Sequence, residues 1–359
     1  VEPGLTRTPL RIAFVAWRDL GHPQAGGSEY VVDELAKGMA ERGHDVVLLA
    51  GSPNTNHPYE TWPTGGTYVQ YLRAPFAFHR HVRSADVIVD VENGIPFFAP
   101  LWTRTPTICL VHHVHTEQWG MQFPSPIAAV GRTLEGRLMP RVYRRSSYVS
   151  VSPSTTRSLI GLGVDEASIT TIEMGAAPVL VTGTRSVEPR FLVLGRLVPH
   201  KRVELAVRLW PKVRAVTGGT LVIAGDGPEI DRLRALTSPG VEFTGFISEE
   251  RKAAELGAAW LLIHPAHHEG WGTVVIEAAA AGVPTVGFDV EGVRDSVKAD
   301  VTGLLADDDA SFVDAWIRLA TDDTLRSTMS EAARQRANSF TWPRALDLFE
   351  EVLESAAQG

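Results

Sequence analysis

Cysteine is almost absent: Cys109 stands alone in 359 residues. One thiol cannot close an intramolecular disulfide and supplies no Cys-rich zinc site, which fits a reducing compartment. Long apolar runs are also missing, and none approaches the about 18 residues of a membrane span. The opening VEPGLTRTP has neither the basic nor the apolar segment of a signal peptide. The expectation is a cytoplasmic protein. Positive charge is not in surplus; the formal net charge of −8 argues against a general nucleic-acid binder. No HExxH and no Cys pair offers metal-ligand spacing.

What is present is ordinary for a globular chain. Hydrophobic residues make up 44% and charged residues 21%, which excludes disordered and collagen-like classes. The length predicts two domains or one large one, with core enough to stand without staples. The charge is uneven. Residues 1–182 carry 15 Lys and Arg against 16 Asp and Glu, and residues 183–359 carry 19 against 26. Eight of the 12 histidines lie in the first part.

Apolar runs alternate with helical spacings along the chain. Strands are expected at Arg11–Trp17, Asp45–Ala50, Thr67–Leu72, Asp86–Val91, Thr107–Val111 and Tyr148–Val151. Helices are expected at Glu29–Arg42 and Ile127–Arg145, and another opens at Ser152-Pro153. The alternation restarts with a strand at Arg190–Gly195, and AAPVLVTGTRSVEP at 176–189 reads as the linker. Strand then helix, repeated, means a parallel sheet covered on both faces. The reading is therefore an α/β chain with two doubly wound, Rossmann-like domains, at 1–182 and 183–342. A last helix at 343–359 shows Leu346, Phe349 and Leu353 on one face. Ligands of such sheets bind at the carboxyl ends of strands, so two domains facing each other would share one cleft.

Five segments carry chemistry. GHPQAGGSEY at 21–30 joins the first strand to the first helix. Gly26 and Gly27 let a ligand approach backbone N–H groups, or the loop is simply flexible with Ser28 as cap. TICLVHHVHTEQW at 107–119 sets His112, His113 and His115 just past a strand. Near-adjacent histidines on extended chain point different ways, which speaks against one zinc held by all three. GRLVPHK brings Arg196 and Lys201 to a strand end, a pairing suited to a diphosphate or else two surface cations. AGDGP at 224–228 is turn chemistry. In HPAHHEGWGTVVIEAAAAGVP, Glu269 precedes Gly270 and Gly272, and Glu277 follows on the helix. Free N–H groups at that helix start suit an anion, and Glu277 can reach vicinal diols.

With those residues in view, the chain resembles the retaining glycosyltransferases of family 4, with the GT-B architecture, over roughly residues 10–345. The most specific element is Glu269-x7-Glu277 followed by AAAAGVP. The resemblance implies that Glu269 contacts the donor sugar and Glu277 the ribose. Gly270, Trp271, Gly272 and Thr273 then cradle sugar and phosphate, and Arg196 and Lys201 bind the diphosphate. Phe246 and Ile247 fall where the family reads the base through backbone groups. His112 takes the place of the sugar-contacting histidine, with His113 beside it. Gly26 and Gly27 match the family's glycine loop, and SFTW at 339–342 resembles its crossover to the first domain. The family often has Phe where Trp271 stands, which implies a sugar pocket of altered size.

The implied reaction moves a hexose from a nucleotide diphosphate sugar, UDP-hexose first and GDP-mannose second, to an acceptor hydroxyl with retention. Arg196, Lys201 and the helix start at Gly272–Thr273 would stabilise the leaving diphosphate, so neither a metal nor another cofactor is required. The catalytic set is then Glu269, His112, Arg196 and Lys201. Asp307-Asp308-Asp309 holds a formal DxD but reads as a surface loop. The acceptor is a glycan, glycolipid or small molecule of cell-envelope, polysaccharide or small-glycoside synthesis. Residues 131–145 hold five arginines and one acid, which is either a solvated helix face or a weak contact to the inner face of the membrane. The rival readings are a non-catalytic sugar-binding protein and a sugar-nucleotide epimerase of the same fold.

Overall fold

The computed structural model describes residues 8–22, 25–51, 57–66, 68–176 and 184–358. The chain divides into two compact units, Val1–Glu173 with Pro343–Gly359, and Met174–Trp342.

The first unit is built on seven strands: β1 (Arg11–Val15), β2 (Asp45–Ala50), β3 (Glu60–Pro63), β4 (Val87–Glu92), β5 (Thr107–Val111), β6 (Ser147–Ser150) and β7 (Ile169–Thr171). Their order is β3-β2-β1-β4-β5-β6-β7, and every pairing is parallel. β4 and β5 are buried throughout, and β5 runs without the alternation of a one-faced sheet, while β4 carries the carboxylates Asp90 and Glu92 into the interior. The order reverses between β1 and β4, which makes the crevice above them the switch point.

Two readings change. Of the strand expected at Thr67–Leu72, Thr67 lies outside the described residues, and the rest leads into the helix Gln70–Ala77, which continues as a π-turn, Phe78–Val82. Gln70, Ala74, Phe78 and Val82 are buried while Leu72 and Phe76 between them are exposed; a strand would share a face among all of these, so the spacing of four is that of a helix. The third strand lies earlier, at Glu60–Pro63. The run at Ile127–Arg145 is broken as well, into the helix Ser125–Thr133, a π-turn at Leu134–Leu138 and the short helix Met139–Val142. The π-turn carries Glu135 inward, fully buried, while Arg132, Arg137 and Arg141 stay exposed.

The last helix, Trp342–Gln358, packs on the first helix, Gly27–Glu41. A Cβ at Gly38 would collide with Leu346 Cδ2, so glycine there makes room for leucine. The Phe349 and Phe14 rings are 6.1 Å apart. Arg42 donates to Asp347 at 2.7 Å and to buried Glu350 at 2.5 Å, and His44 Nε2 is 3.1 Å from Glu350 Oε1.

The second unit holds β8 (Arg190–Leu194), β9 (Thr220–Ala224), β10 (Val241–Gly245), β11 (Leu261–His264), β12 (Thr285–Phe288) and β13 (Gly303–Ala306), in the order β10-β9-β8-β11-β12-β13, all parallel. Phe191, Trp210 and Trp316 form the centre of its core, with ring centroids 5.4–5.8 Å apart. Asp308 caps the helix Asp309–Thr321, accepting from Ser311 N at 2.8 Å. The division at 173/174 comes earlier than the 182/183 of the sequence reading, for a packing reason. Met174 is fully buried, Trp271 Nε1 donates to its carbonyl at 3.0 Å, and Ala176 N donates to Phe340 O at 3.3 Å. Residues 177–183 of the 176–189 linker lie outside the described residues.

Candidate active site

In the second unit the strand order reverses between β8 and β11. The loops leaving these two strands therefore separate and open a crevice. Gly195–Lys201 leaves β8, and Pro265–Gly272 leaves β11, so Arg196, Lys201, Glu269 and Gly270 come from the two lips of one crevice. Gly195, Arg196, Lys201, Val203, His264 and Pro265 line a small pocket there. The β8 loop is braced by AGDGP. Gly225 has φ +147°, and a Cβ on it would collide with Gly195 O. Glycine is obligatory at that contact, which carries Leu197 N to Asp226 O at 2.8 Å.

Lys201 Nζ donates directly to Glu269 Oε1, and His264 Nε2 lies 2.9 Å from the same oxygen. Burial pushes the Glu269 carboxyl up, but the Lys201 ammonium and the His264 contact override it and hold it well below the ordinary range. Beside it, burial and then the Lys201 charge lower the His200 imidazole to about 4. Gly272 follows in the left-handed region at φ +75°, ψ 52°, and the helix Thr273–Ala280 begins with no side-chain cap. Such a start leaves backbone donors for an anion. Glu277 is buried on that helix and takes Lys252 Nζ at 2.7 Å. Burial raises its carboxyl, and Lys252 offsets this only in part.

Two further expected site residues, Trp271 and Phe246, place their side chains very differently. The Trp271 indole is buried, bonded to Met174 and edge-on to Phe340 with centroids 4.9 Å apart. It braces the unit, so the expected change of sugar-pocket size does not follow from its bulk. Phe246, past β10, is 85% exposed, whereas Ile247 packs against the core.

In the first unit His112 lies one residue past β5, buried, with Nε2 lacking a hydrogen-bond partner. Burial lowers its pKa to about 4; Glu29 opposes this and His115 adds to it. The imidazole is thus neutral at pH 7. Gly26 caps the first helix, but its N–H donates to Glu29 Oε2 at 2.8 Å, and Ser28 Oγ reaches the same oxygen at 3.0 Å. Ser28 is therefore not the cap. Gly27 faces open space: a Cβ added there would meet nothing within 4 Å.

Residues 25–178 match the family described as Glycosyltransferase Family 4, and residues 181–336 match Glycosyl transferases group 1. A glycogen synthase of Mycobacterium tuberculosis is 26% identical, covering 98% of this chain and 96% of that protein. A GDP-mannose-dependent alpha-(1-6)-phosphatidylinositol monomannoside mannosyltransferase of the same organism is 28% identical, covering 82% and 81%. The chain belongs to the GT-B glycosyltransferases of the family 4 type. Sucrose-phosphate synthase from Thermosynechococcus elongatus shares the fold, with TM-score 0.81 at 20% identity over 98% of this chain and 100% of that one. Anabaena HepE in complex with UDP-glucose does so at TM-score 0.78 and 16% identity, over 96% and 100%.

Sequence reasoning missed three groups of this glycosyltransferase. Glu29 stands three residues past a helix cap, a recognisable capping position, but Gly26 lacks the side chain that marks such a box. Lys252 and His264 reach Glu277 and Glu269 from other elements, and nothing in their local sequence announces it.

Proposed function

We propose that this glycosyltransferase moves a hexose from a nucleoside diphosphate sugar to an acceptor hydroxyl, with retention and without a metal in the transfer step. The observation that carries the reading is the cationic pair Arg196 and Lys201 beside Glu269 and an uncapped helix start, all at the β8/β11 switch point. A leaving diphosphate concentrates negative charge, and prearranged donors that meet it are the largest usual source of catalysis. Arg196 offers a fork and Lys201 a point charge. Lys201 is held on Glu269, so an arriving diphosphate competes for the ammonium and turns the carboxylate toward sugar hydroxyls. Glu277 and its Lys252 partner meet the ribose. His112, neutral, accepts or donates one hydrogen bond to a hydroxyl. The departing phosphate takes the acceptor proton as the new bond forms on the same face.

UDP-hexose is the first donor of this reading and GDP-mannose the second; the relatives include glycogen synthases and GDP-mannose-dependent enzymes. A thermal-shift panel of UDP- and GDP-sugars separates them, since a donor at about 100 Kd adds about 2.7 kcal/mol. Transfer is then measured with that donor in chelator. Lys201→Ala and Glu269→Ala are expected to lose about 10²–10³ in kcat. Near-normal transfer by either variant refutes the assignment, and donor binding without any transfer supports a non-catalytic protein.

A second reading concerns the acceptor side. Ile127, Val130 and Leu138 are exposed beside exposed Arg132, Arg137 and Arg141, a mixed face suited to anionic lipid. No described helix is long and apolar enough to cross a membrane. Flotation with vesicles of anionic lipid tests this contact, and no binding at low salt removes it.

A further inference from the structure

The first unit holds a cluster that the transfer chemistry leaves unused. Glu92 ends β4, His115 lies just past β5, and Glu135 sits on the π-turn Leu134–Leu138. β4 and β5 are neighbours, with Glu92 opposite Val111, so Glu92 and His115 both come at the carboxyl end of the sheet. His115 Nδ1 lies 3.4 Å from Glu135 Oε1 and 3.9 Å from Glu92 Oε1. One ligand atom from each of the three falls within 4.8 Å of the others. Both carboxylates are fully buried.

Charge and hydrogen bonding are incomplete there. Glu135 is well supplied: the His115 backbone N–H donates to Oε1, and Trp119 Nε1 donates to Oε2 at 3.0 Å. Glu92 is not. Neither of its oxygens makes a well-formed hydrogen bond, and His115 Nδ1 is likewise unpartnered; the Gly94 N–H only approaches Glu92. Among the described residues no lysine or arginine pairs with either glutamate. Two carboxylates removed from water without a cation are costly. Burial, and then the Glu135 charge, push the Glu92 carboxyl well above its ordinary value.

We propose that Glu92, His115 and Glu135 bind a first-row divalent transition metal ion such as zinc. An imidazole nitrogen with two carboxylates is a zinc-type donor set, whereas magnesium and calcium prefer oxygen alone. Ligands about 2 Å from a four-coordinate ion stand roughly 3.3 Å apart; His115 Nδ1 stands 3.4 and 3.9 Å from the two carboxylates, which lie within 4.8 Å of each other, and a dication balances the two buried charges. Three protein ligands leave one position for water. Trp119 orients Glu135 from behind, as outer-shell donors do in metal sites. Gly94 takes φ +95°, in the left-handed region that favours glycine, and a Cβ there would lie only 3.2 Å from Trp119 Cζ2. The ion clamps the segment that starts at His112, and only one of the three clustered histidines ligates it.

The test uses tag-free, full-length protein stripped with chelator and dialysed. Titration with Co(II) is expected to give the visible absorption of a low-coordinate site at one equivalent. Zn(II) is expected to displace it and raise the melting temperature. Glu92→Gln, which keeps the shape, is expected to weaken Co(II) binding at least tenfold. No Co(II) band and no Zn(II)-dependent shift in the unaltered protein overturns the proposal. So does unchanged Co(II) binding by Glu92→Gln, which places the ion elsewhere. If Glu92→Gln instead raises the melting temperature of stripped protein that binds no Co(II), the two carboxyls share a proton and the site is not metallic.

Discussion

Acidification gives a quantitative handle on His112. Its imidazole is buried, and burial takes its pKa from an ordinary 6.5 to about 4, with the Glu29 charge opposing the shift and the His115 charge adding to it. The unfolded chain takes up a proton near pH 6.5, while the folded chain resists until about pH 4. Stability is therefore complete above pH 6.5 and is lost as pH falls toward 4, since the unfolded state binds more protons there. At 1.36 kcal/mol per unit, the loss from this one group between pH 7.5 and pH 5 is about 2 kcal/mol. Other groups titrate in the same range, so the measurement is a difference of differences. Urea unfolding of the parent and of His112→Gln is followed at both pH values with a probe in the first unit. The parent is expected to lose about 2 kcal/mol more than the variant. Equal losses refute the argument, as does a histidine proton resonance for residue 112 that titrates near 6.5. The same result bears on function, because a group neutral across the working range can hold a hydroxyl but cannot serve as a standing positive charge.

Three further outcomes follow from the geometry. Gly272→Ala forces a side chain into left-handed backbone and against Ser296 Oγ, 3.0 Å away; it is expected to cost about 1–2 kcal/mol, read by thermal unfolding, and to weaken donor binding in the same sample. Glu350→Ala strips Arg42 and His44 of their shared carboxylate; about 3 kcal/mol is expected, at the low end for a buried pair because Arg42 keeps Asp347, and a double-mutant cycle with Arg42→Met checks it. Lys201→Met removes the ammonium that holds the Glu269 carboxyl low. A depressed carboxylate stabilises the fold above its unfolded pKa and loses that contribution as pH falls through the folded one. The variant is expected to show a shallower acid-side decline in denaturation against pH.

Strand runs with both faces buried were plain in the sequence, because a covered parallel sheet needs unbroken apolar stretches. β2 and β5 fall at the residues expected of them. The Gln70–Ala77 helix was misread because Tyr68, Leu72 and Phe76 are apolar yet exposed, which hides the spacing of four beneath them. At the candidate site, Arg196, Lys201, Glu269 and Gly272 stand at strand ends, where local sequence marks them. The partners that set their chemistry come from distant positions. His264 and Lys252 meet glutamates through sheet order and helix packing, and the Glu92–Glu135 approach bridges the whole β4-to-β5 crossover and part of the next. The orientation of Trp271 depends on Met174 and Phe340, which no window around residue 271 contains.

The chain leaves the first unit after residue 173 and returns to it at 343. The ends of the second unit meet: a Cβ on Gly175 would collide with the backbone nitrogen of Trp342. During synthesis from the N-terminus, the Phe14 and Arg42 surfaces must wait for Phe349 and Glu350 until the whole second unit has been made. The second unit can close before the first is finished, as an insertion whose two ends share one doorway. A nascent chain stalled before residue 343 would thus carry a first unit with its apolar face uncovered, a natural handle for chaperones and proteases.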